Sequence, residues 1–156
     1  MQFHNFKQTI NKFATGVTVV TGYYNNTPFG VTVNSFTSLS LEPKLILFNL
    51  DKKISSLNAF FNTSYFNINI LSSHQKNIAT IFAEKNIDRF AQINYHISCH
   101  NTPILPEIHS LLQCKKVKVI AMGDHYIFIC NVLDTMVDNS KKPLLYYNSR
   151  FYHHIS

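Results

Sequence analysis

The sequence predicts a mainly β protein, built as a closed or nearly closed antiparallel barrel with a few short helices. Segments in which apolar and polar residues alternate, as they do in half-buried strands, outnumber segments with helical spacing. Two pairs of these segments are joined by short turns, as in β-hairpins. The order helix, hairpin, strand, helix, strand, helix, hairpin lacks the regular alternation that builds a parallel sheet. An antiparallel barrel fits this order better.

The first elements are a helix and a hairpin. Apolar residues at spacings of three and four between positions 3 and 13 predict a short amphipathic helix that ends near Gly16. Alternating residues then predict strands over 17–24 and 29–34, joined by a turn at 25–28. This arrangement places the polar segment that follows residue 33 at the end of a strand.

The rest of the chain continues with single strands, short helices and a second hairpin. The predicted elements are, in order, a strand covered on both faces (45–50), a helix (54–61), a strand (66–70), a helix (78–82) with Ser72 or Ser73 as N-cap, a loop (87–107), a hairpin (117–132) turning at Gly123-Asp124, and a loop (139–143). No internal repeat or linker is visible, so residues 1–156 are predicted to form one domain.

The composition indicates a globular protein of the cytoplasm. A chain of 156 residues with 46% hydrophobic and 13% aromatic residues can bury a sizeable core. No apolar run approaches the roughly 18 residues of a membrane-spanning helix, and the polar N-terminal stretch lacks the apolar part of a secretory signal. Cys99, Cys114 and Cys130 are odd in number and widely spaced, which is typical of a reducing compartment.

The formal charge of +6 raises the question of an anionic partner. Basic residues are scattered and cluster only as pairs, such as Lys52-Lys53 and Lys141-Lys142. A groove for nucleic acid normally concentrates such residues, so no nucleic-acid partner is expected. An anionic small ligand would also account for a modest positive surface.

The signatures of several enzyme classes are missing. The four glycines are too few and too far apart for a GxGxxG or GxxxxGK[ST] phosphate loop. The eight histidines form no HExxH motif, and His96, Cys99 and His100 fall in a predicted loop, so no metal site is predicted. There is no GxSxG motif for a serine hydrolase, and eight acidic residues offer little for paired-carboxylate chemistry.

The stretch GVTVNSFTSLS, residues 30–40, is the strongest candidate for a ligand site. Within it Asn34, Ser35, Thr37 and Ser38 supply hydroxyl and amide groups but no charge and no strong base. Such groups, with nearby backbone N–H groups, suit a polar ligand that has many acceptors. The alternative is a strand that runs into an ordinary Ser/Thr-rich turn.

Seven segments in a fixed order carry a family resemblance. They are FATGVTVVTG (13–22), GVTVNSFTSLS (30–40), LFNLDKKISSL (47–57), FNINILSSHQ (66–75), DRF (88–90), GDH (123–125) and PLLYYNSRF (143–151). Together they resemble the flavin reductase family of small FMN-binding split-barrel proteins, which use NAD(P)H to reduce flavin. The tail has SRF where this family often has GRY, and DKKISSL lacks the Gly or Arg often found before the serine.

The resemblance implies a homodimer of Greek-key-like split barrels, with flavin near the subunit interface and His125 on the nicotinamide side. Hydroxyls at a helix start beside a lysine would also suit the flavin phosphate. The flavin-binding residues implied by position are Thr32, Val33, Asn34, Ser35, Thr37 and Ser38 along the polar stretch, Lys53, Ser55 and Ser56 at the phosphate, and Asn69 and Gln75 further along. Tyr147, Arg150 and Phe151 are implied as further cofactor neighbours of His125.

The activity implied by the resemblance is hydride transfer from NADH or NADPH to FMN or FAD, a reaction that needs positioning rather than a general base. The protein could then be the reductase component of a two-component monooxygenase. One alternative is a flavin-binding electron carrier or sensor with little nicotinamide turnover. Another is a basic binding module without flavin, whose binding to nucleic acid would depend on salt.

Overall fold

The computed structural model describes residues 2–153, with side chains from residue 5 onward. The predicted domain spans residues 1–156, so its residue 1 and residues 154–156 lie outside the described residues. Strands dominate the described chain and all their pairings are antiparallel. The predicted mainly β, antiparallel class is therefore confirmed.

The strands are short except for one long hairpin in the second half of the chain. They are β1 (Thr15–Gly16), β2 (Thr18–Tyr24), β3 (Thr27–Val33), β4 (Thr37–Ser40), β5 (Leu45–Asp51), β6 (Tyr65–Ile70), β7 (His96–Ile97), β8 (Pro103–Ile104), β9 (Ser110–Met122), β10 (His125–Val137), β11 (Leu145–Tyr147) and β12 (Arg150–Tyr152). The helices are α1 (Gln2–Ile10), α2 (Leu57–Asn62), α3 (Lys76–Ala83) and a 3₁₀ helix (Phe90–Gln92). None of the helices in the described part of the chain is long and apolar enough to cross a membrane.

The main sheet has seven strands in the order β3-β2-β6-β9-β10-β5-β4. It curls so that β3, at one edge, comes next to β5, near the other edge. The edge strand β4 pairs with β5 only as far as Leu47. Beyond that point β5 has a free edge, and the Ser35 hydroxyl reaches it at Asn49. The curled sheet is thus nearly closed, with a slit between β3 and the end of β5.

Two hydrophobic clusters hold this sheet in place. The first lies within the curl and contains packed rings, including Phe48 stacked on Phe128 with ring centroids 5.3 Å apart. The second lies under α3, where Phe82 and Leu105 pack against Val19 on β2. Burial of such apolar surface is the main stabilising contribution, and it fixes β2 and β3 between the two clusters.

The first hairpin has a shorter turn than the sequence predicted. Asn25 and Asn26 alone form the turn, with φ angles of 48° and 58°. Asparagine tolerates this left-handed region better than most residues, so Thr27 and Pro28 are released to β3. Pro28 is accommodated there because β3 is an edge strand.

Other element predictions are also corrected in detail. Strand β4 was missed, and α2 begins at Leu57 rather than at Ile54. Neither Ser72 nor Ser73 is the N-cap of α3; Gln75 occupies that position. In β5 buried and half-buried residues alternate, so the strand is not equally covered on both faces. Both strands of the second hairpin extend well beyond the predicted 117–132.

Candidate active site

The slit between β3 and β5 opens into a cleft with a volume of about 390 Å³. One wall is the end of β3 with the two residues that follow it, and the other wall is the end of β5 with Ile54. The lining residues are Val31, Thr32, Val33, Asn34, Ser35, Asn49, Leu50, Asp51, Ile54 and His125. The cleft therefore has a mixed lining, with four apolar and six polar residues.

Two further pockets adjoin the cleft at its ends. A small one of about 150 Å³ shares Val31 and Ile54 with the cleft and is lined by Lys53, Lys85 and Arg89. A larger one of about 590 Å³ shares Asn34 and Ser35 and extends towards residues 10–16. An elongated ligand can therefore run along β3 from a basic end to a mixed polar and aromatic end.

Ser35 bridges the two walls of the slit. Its hydroxyl accepts a hydrogen bond from the Asn49 backbone N–H at 2.9 Å and donates to the Asn49 carbonyl at 3.2 Å. A single side chain thus replaces the missing strand partner for both backbone groups of Asn49. The Ser35 hydroxyl is committed to holding the two walls together.

His125 lies at the mouth of the cleft, and its ring is fixed by a neighbour. Its Nδ1 is 2.7 Å from Asp124 Oδ1. The turn that carries the pair is tied to β5, because Lys52 donates from its backbone N–H to the Asp124 carbonyl and from Nζ to the Gly123 carbonyl at 2.7 Å. The other ring nitrogen, Nε2, is left for a ligand.

The basic end depends on Arg89, which is half-buried. Its Nη1 donates to the Gly30 carbonyl on β3 at 2.6 Å, and its Nε donates to the Glu84 carbonyl at the end of α3 at 3.1 Å. Burial lowers the pKa of the Arg89 guanidinium, which still remains charged near neutral pH. Lys53 and Lys85 are exposed beside it, so the pocket attracts anions.

The flavin reductase like domain model matches residues 10–154. The chain is also 34% identical over 150 residues to the reductase component of a 4-nitrophenol 4-monooxygenase/4-nitrocatechol 2-monooxygenase from Rhodococcus opacus, covering 96% of this chain and 80% of that protein. The chain belongs to the flavin reductase family.

Another relative within the family is longer. The reductase component of a flavin-dependent trigonelline monooxygenase from Acinetobacter baylyi is 38% identical over 132 residues, which cover 84% of this chain but 43% of that protein. Among solved structures, an NADH:FAD oxidoreductase from Streptomyces globisporus, in complex with NAD and FAD fragments, has a TM-score of 0.93 and 27% identity. The alignment covers 98% of this chain and 93% of that one.

The cleft brings together five of the residues that the family resemblance implied: Thr32, Val33, Asn34, Ser35 and His125. Of these, the Thr32 hydroxyl is committed, because it donates to the Ala79 carbonyl of α3 at 2.7 Å. Val33 is buried and contributes apolar surface.

Four more implied residues lie near the ends of the cleft or away from it. Lys53 and Ser55 line the basic pocket, and Thr37 lines the pocket towards residues 10–16. Ser38 lies on β4 opposite Ile46, outside the lining of all three pockets.

Ser56 lines neither the cleft nor the basic pocket, and its contact with the phosphate stays a prediction. It stands at the N-cap of α2, but its hydroxyl is buried and has no hydrogen-bond partner among the described residues. The structure places the basic pocket beside the preceding residues instead.

Asn69 and Gln75 were expected to face the ligand, and the structure corrects both predictions. Asn69 is fully buried: its Nδ2 donates to the Val19 carbonyl and its Oδ1 accepts from the Leu105 N–H, each at 3.0 Å. Gln75 accepts from the Ser72 N–H and donates to the Pro106 carbonyl. Both side chains anchor the segment 102–106, and neither lines the cleft or the two pockets that adjoin it.

The hairpin β11–β12 carries Tyr147, Arg150 and Phe151 away from the cleft of its own chain. It pairs with β1, and the Asn148 N–H at its tip donates to the Asn11 carbonyl. Phe151 packs on Tyr146, while Tyr147 and Arg150 are exposed. A contact between these residues and the cofactor stays a prediction.

Several lining residues were missed by the sequence analysis, notably Asn49, Asp51, Ile54, Lys85 and Arg89. Asn49 had a usable signal, because it is the one polar residue in the apolar run LILFNL. Arg89 falls in the predicted loop 87–107 and Lys85 just before it, and only the fold brings Arg89 against β3. Among residues 2–153, no three His, Cys, Asp or Glu side chains are arranged to hold a metal ion.

A flavin fits the residues present. The apolar side chains Val31, Val33 and Ile54 suit an aromatic ring system, and the basic pocket suits a phosphate. In addition, Asn49 Oδ1 is buried without a donor among the described residues, which a polar ring edge could supply. Asn49 and Arg89 would hold opposite ends of the molecule.

Proposed function

We propose that this chain is an NAD(P)H-dependent flavin oxidoreductase that binds FMN or FAD in the cleft between β3 and β5. The observation that carries the proposal is the continuity of the cleft, in which apolar side chains stand beside hydrogen-bonding groups, with a basic pocket at its end; the two are joined at Val31 and Ile54. The named relatives are reductase components and an NADH:FAD oxidoreductase, which supports the same activity here.

The protein's own contribution is positioning. A flavin held in the cleft would supply the hydride-accepting chemistry, so no side chain of the chain would have to act as a general base. Val31 and Val33 on one wall and Ile54 on the other exclude water from the ring, and Ser35 keeps the slit at a fixed width. Lys53, Lys85 and Arg89 hold the phosphate by charge.

His125 is proposed to bind the nicotinamide nucleotide at the mouth of the cleft. Asp124 fixes the Nδ1 side of the ring, so Nε2 is the atom that would meet the nucleotide. This arrangement orients the nicotinamide nucleotide, the hydride donor, without any proton transfer from His125 to it. The tie from Lys52 to the turn keeps the histidine at a constant distance from β5.

We further propose that residues 1–156 form one flavin-binding unit that works as a homodimer in the cytoplasm and supplies reduced flavin to a monooxygenase. The monooxygenase partner is supported by relatives named as reductase components. The dimer is supported by large exposed apolar side chains such as Phe13 and Leu41. All three cysteines are free, which agrees with a reducing compartment.

The test measures the absorbance of NADH and of NADPH with purified protein while FMN or FAD is added. Oxidation well above the protein-free rate, and only when flavin is present, is the expected result, and the rates would rank the four cofactors. If the protein binds flavin but does not oxidise NADH or NADPH, it is an electron carrier or sensor rather than a reductase. A protein that binds no flavin would overturn both.

A further inference from the structure

The carboxamide of Asn49 is a polar group of the cleft whose oxygen is buried and whose hydrogen bonding is left incomplete among the described residues. Its backbone groups are satisfied by the Ser35 hydroxyl, at 2.9 and 3.2 Å. Its side-chain oxygen, in contrast, is buried with no donor within reach among the described residues. A buried acceptor without a donor costs about 1–3 kcal/mol, so a bound ligand that supplies a donor would gain that free energy.

The other hydrogen-bonding side chains of these two walls differ from Asn49 in what they can offer a ligand. Thr32 donates to the Ala79 carbonyl, and Ser35 is committed to Asn49 itself. Asp51 accepts from the Lys53 N–H and, as a carboxylate, offers acceptors only. Asn34 is exposed, so water can satisfy its amide before a ligand arrives.

Asn49 is also held rigidly. It lies in β5 opposite Ile127 on β10, and the Ser35 hydroxyl fixes the free edge of the strand at this residue. The carboxamide therefore needs only rotation about its terminal torsion, which is broad for asparagine, to present its oxygen to a ligand. A preorganised donor–acceptor pair of this kind loses little entropy on binding.

We propose that Asn49 binds the pyrimidine edge of the flavin ring, accepting from the ring N3–H and donating from Nδ2 to the adjacent ring carbonyl. This inference rests on the proposed flavin-binding function and adds a residue that orients the ring. The pyrimidine edge is the part of the ring that presents an N–H donor beside a carbonyl acceptor, and the carboxamide is its complement. Val31 on one wall of the cleft and Ile54 on the other provide apolar contacts for the remainder of the ring.

The test compares FMN with 3-methyl-FMN, in which a methyl group replaces the N3 hydrogen, by fluorescence titration of the wild-type chain and of Asn49→Ala. We expect the wild-type protein to prefer FMN by roughly 5- to 50-fold, the equivalent of one lost buried hydrogen bond. Asn49→Ala should bind both flavins equally, near the wild-type affinity for 3-methyl-FMN. If Asn49 had only a structural role, Asn49→Ala would weaken the binding of both flavins and leave the ratio of their affinities unchanged.

Two further variants keep the test decisive. Asn131→Ala is the matched control, since Asn131 is a half-buried strand asparagine on β10 outside the cleft lining, and it should keep the wild-type preference. Asn49→Asp preserves the shape of the side chain and its hydrogen-bond acceptor. It serves as the test variant if Asn49→Ala does not fold. It should bind FMN more weakly than the wild type but still prefer it over 3-methyl-FMN.

The inference is overturned if Asn49→Ala retains the wild-type preference, if the wild-type protein has no preference, or if Asn49→Asp binds both flavins as the wild type does. Its failure can be separated from failure of the proposed function. If the wild-type protein catalyses FMN-dependent NADH oxidation but does not prefer FMN over 3-methyl-FMN, only the role of Asn49 is refuted. Wild-type protein that binds no FMN would remove both.

Discussion

His125 has a single ring nitrogen available to a nucleotide, because its Nδ1 is engaged by Asp124. Replacing His125 by alanine should raise the Michaelis constant for NADH several-fold, the equivalent of about 1–2 kcal/mol, with a smaller change in kcat. Asp124→Asn preserves the shape of the pair and should have a weaker effect. Steady-state kinetics with varied NADH would measure both variants. An unchanged Michaelis constant in His125→Ala would show that the histidine does not contact the nucleotide.

The acidic partner of this pair gives a prediction about pH. The hydrogen bond with His125, followed by the charge of His125, holds the pKa of the Asp124 carboxyl below its ordinary value of 3.8. A carboxyl with a lowered pKa keeps its interaction above the ordinary value and loses it as the pH falls through the lowered one. Carbon NMR of Asp124 should therefore show a midpoint below 3.8, and His125→Ala should move it upwards. If both proteins titrate alike, the pair does not exist in solution.

Ser149 should be a removable source of strain. The tip of hairpin β11–β12 has Asn148 at φ 49° and Ser149 at φ 63°, a region that glycine occupies without steric cost. Ser149→Gly should stabilise the chain by about 0.5–1 kcal/mol, since part of the relief is offset by the flexibility glycine adds to the unfolded chain. Unfolding of both proteins in urea measures this difference in the free energy of unfolding. Asn148→Gly is the comparison and should gain less, because asparagine tolerates this region; each variant loses one exposed hydrogen bond, from Asn11 to Ser149 or from Lys12 to Asn148.

Two asparagines show what could be predicted at the scale of residues. Asn49 and Asn69 both lie in apolar strands, and the resemblance implied Asn69 rather than Asn49. The sequence cannot tell them apart, because the difference arises from distant partners: Leu105 satisfies the Asn69 oxygen, whereas nothing among the described residues reaches that of Asn49. Residues 32–35 were easier to predict from the sequence, because they follow one another at the end of a single strand that leads into the cleft.

At the scale of elements, the slit depends on one hydroxyl. Ser35→Ala leaves the Asn49 N–H and carbonyl without their partner, and we expect it to lower the free energy of unfolding by about 1–3 kcal/mol. Flavin affinity should fall as well, since the wall of the cleft loosens. Ser64→Ala is a control at an exposed serine and should change stability by less than about 0.5 kcal/mol. Equal stability of the two variants would mean that water replaces the hydroxyl.

The basic pocket should discriminate between flavins with and without a phosphate. Lys85→Ala removes one exposed charge beside Arg89, so affinity for FMN should fall roughly 2- to 5-fold at low salt. Affinity for riboflavin, which lacks the phosphate, should not change. Fluorescence titration of both flavins, with Lys118→Ala as an exposed lysine on β9 for control, tests this. Equal losses for both flavins would place the phosphate elsewhere.

The elements that the sequence analysis missed are those whose existence depends on a partner strand. Strand β4 (TSLS) has no apolar alternation and forms only because β5 offers it an edge. The two hairpins were predictable, since their alternation and turns are local. Segment 84–89 gave no periodic signal, yet Arg89 ties it to Gly30 and builds the basic pocket. Local patterns thus predicted the frame, and long-range contacts supplied much of the site.

At the scale of the whole molecule, the class of fold followed from strand alternation, but the assembly did not follow from one chain. Large apolar side chains remain on the surface, with Leu41 85% and Phe13 77% exposed. The tail residues Tyr147 and Arg150 lie outside the cleft of their own chain. A homodimer would explain both observations, if the tail of one subunit reached the cleft of its partner.

Complementation between defective subunits would decide whether the dimer builds its site across the interface. If His125 of one subunit and Arg150 of the other serve the same cleft, then His125→Ala and Arg150→Ala homodimers should each be impaired. Mixed dimers formed by co-expression would contain one site with both residues intact, and NADH oxidation should partly recover. If both residues serve the cleft of their own chain, every site in the mixed dimer lacks one of them and no recovery occurs.

Sedimentation equilibrium tests whether dimers are present, and we expect it to give twice the chain mass of 18.0 kDa. A monomer that reduces flavin at the full rate would contradict a site shared between subunits.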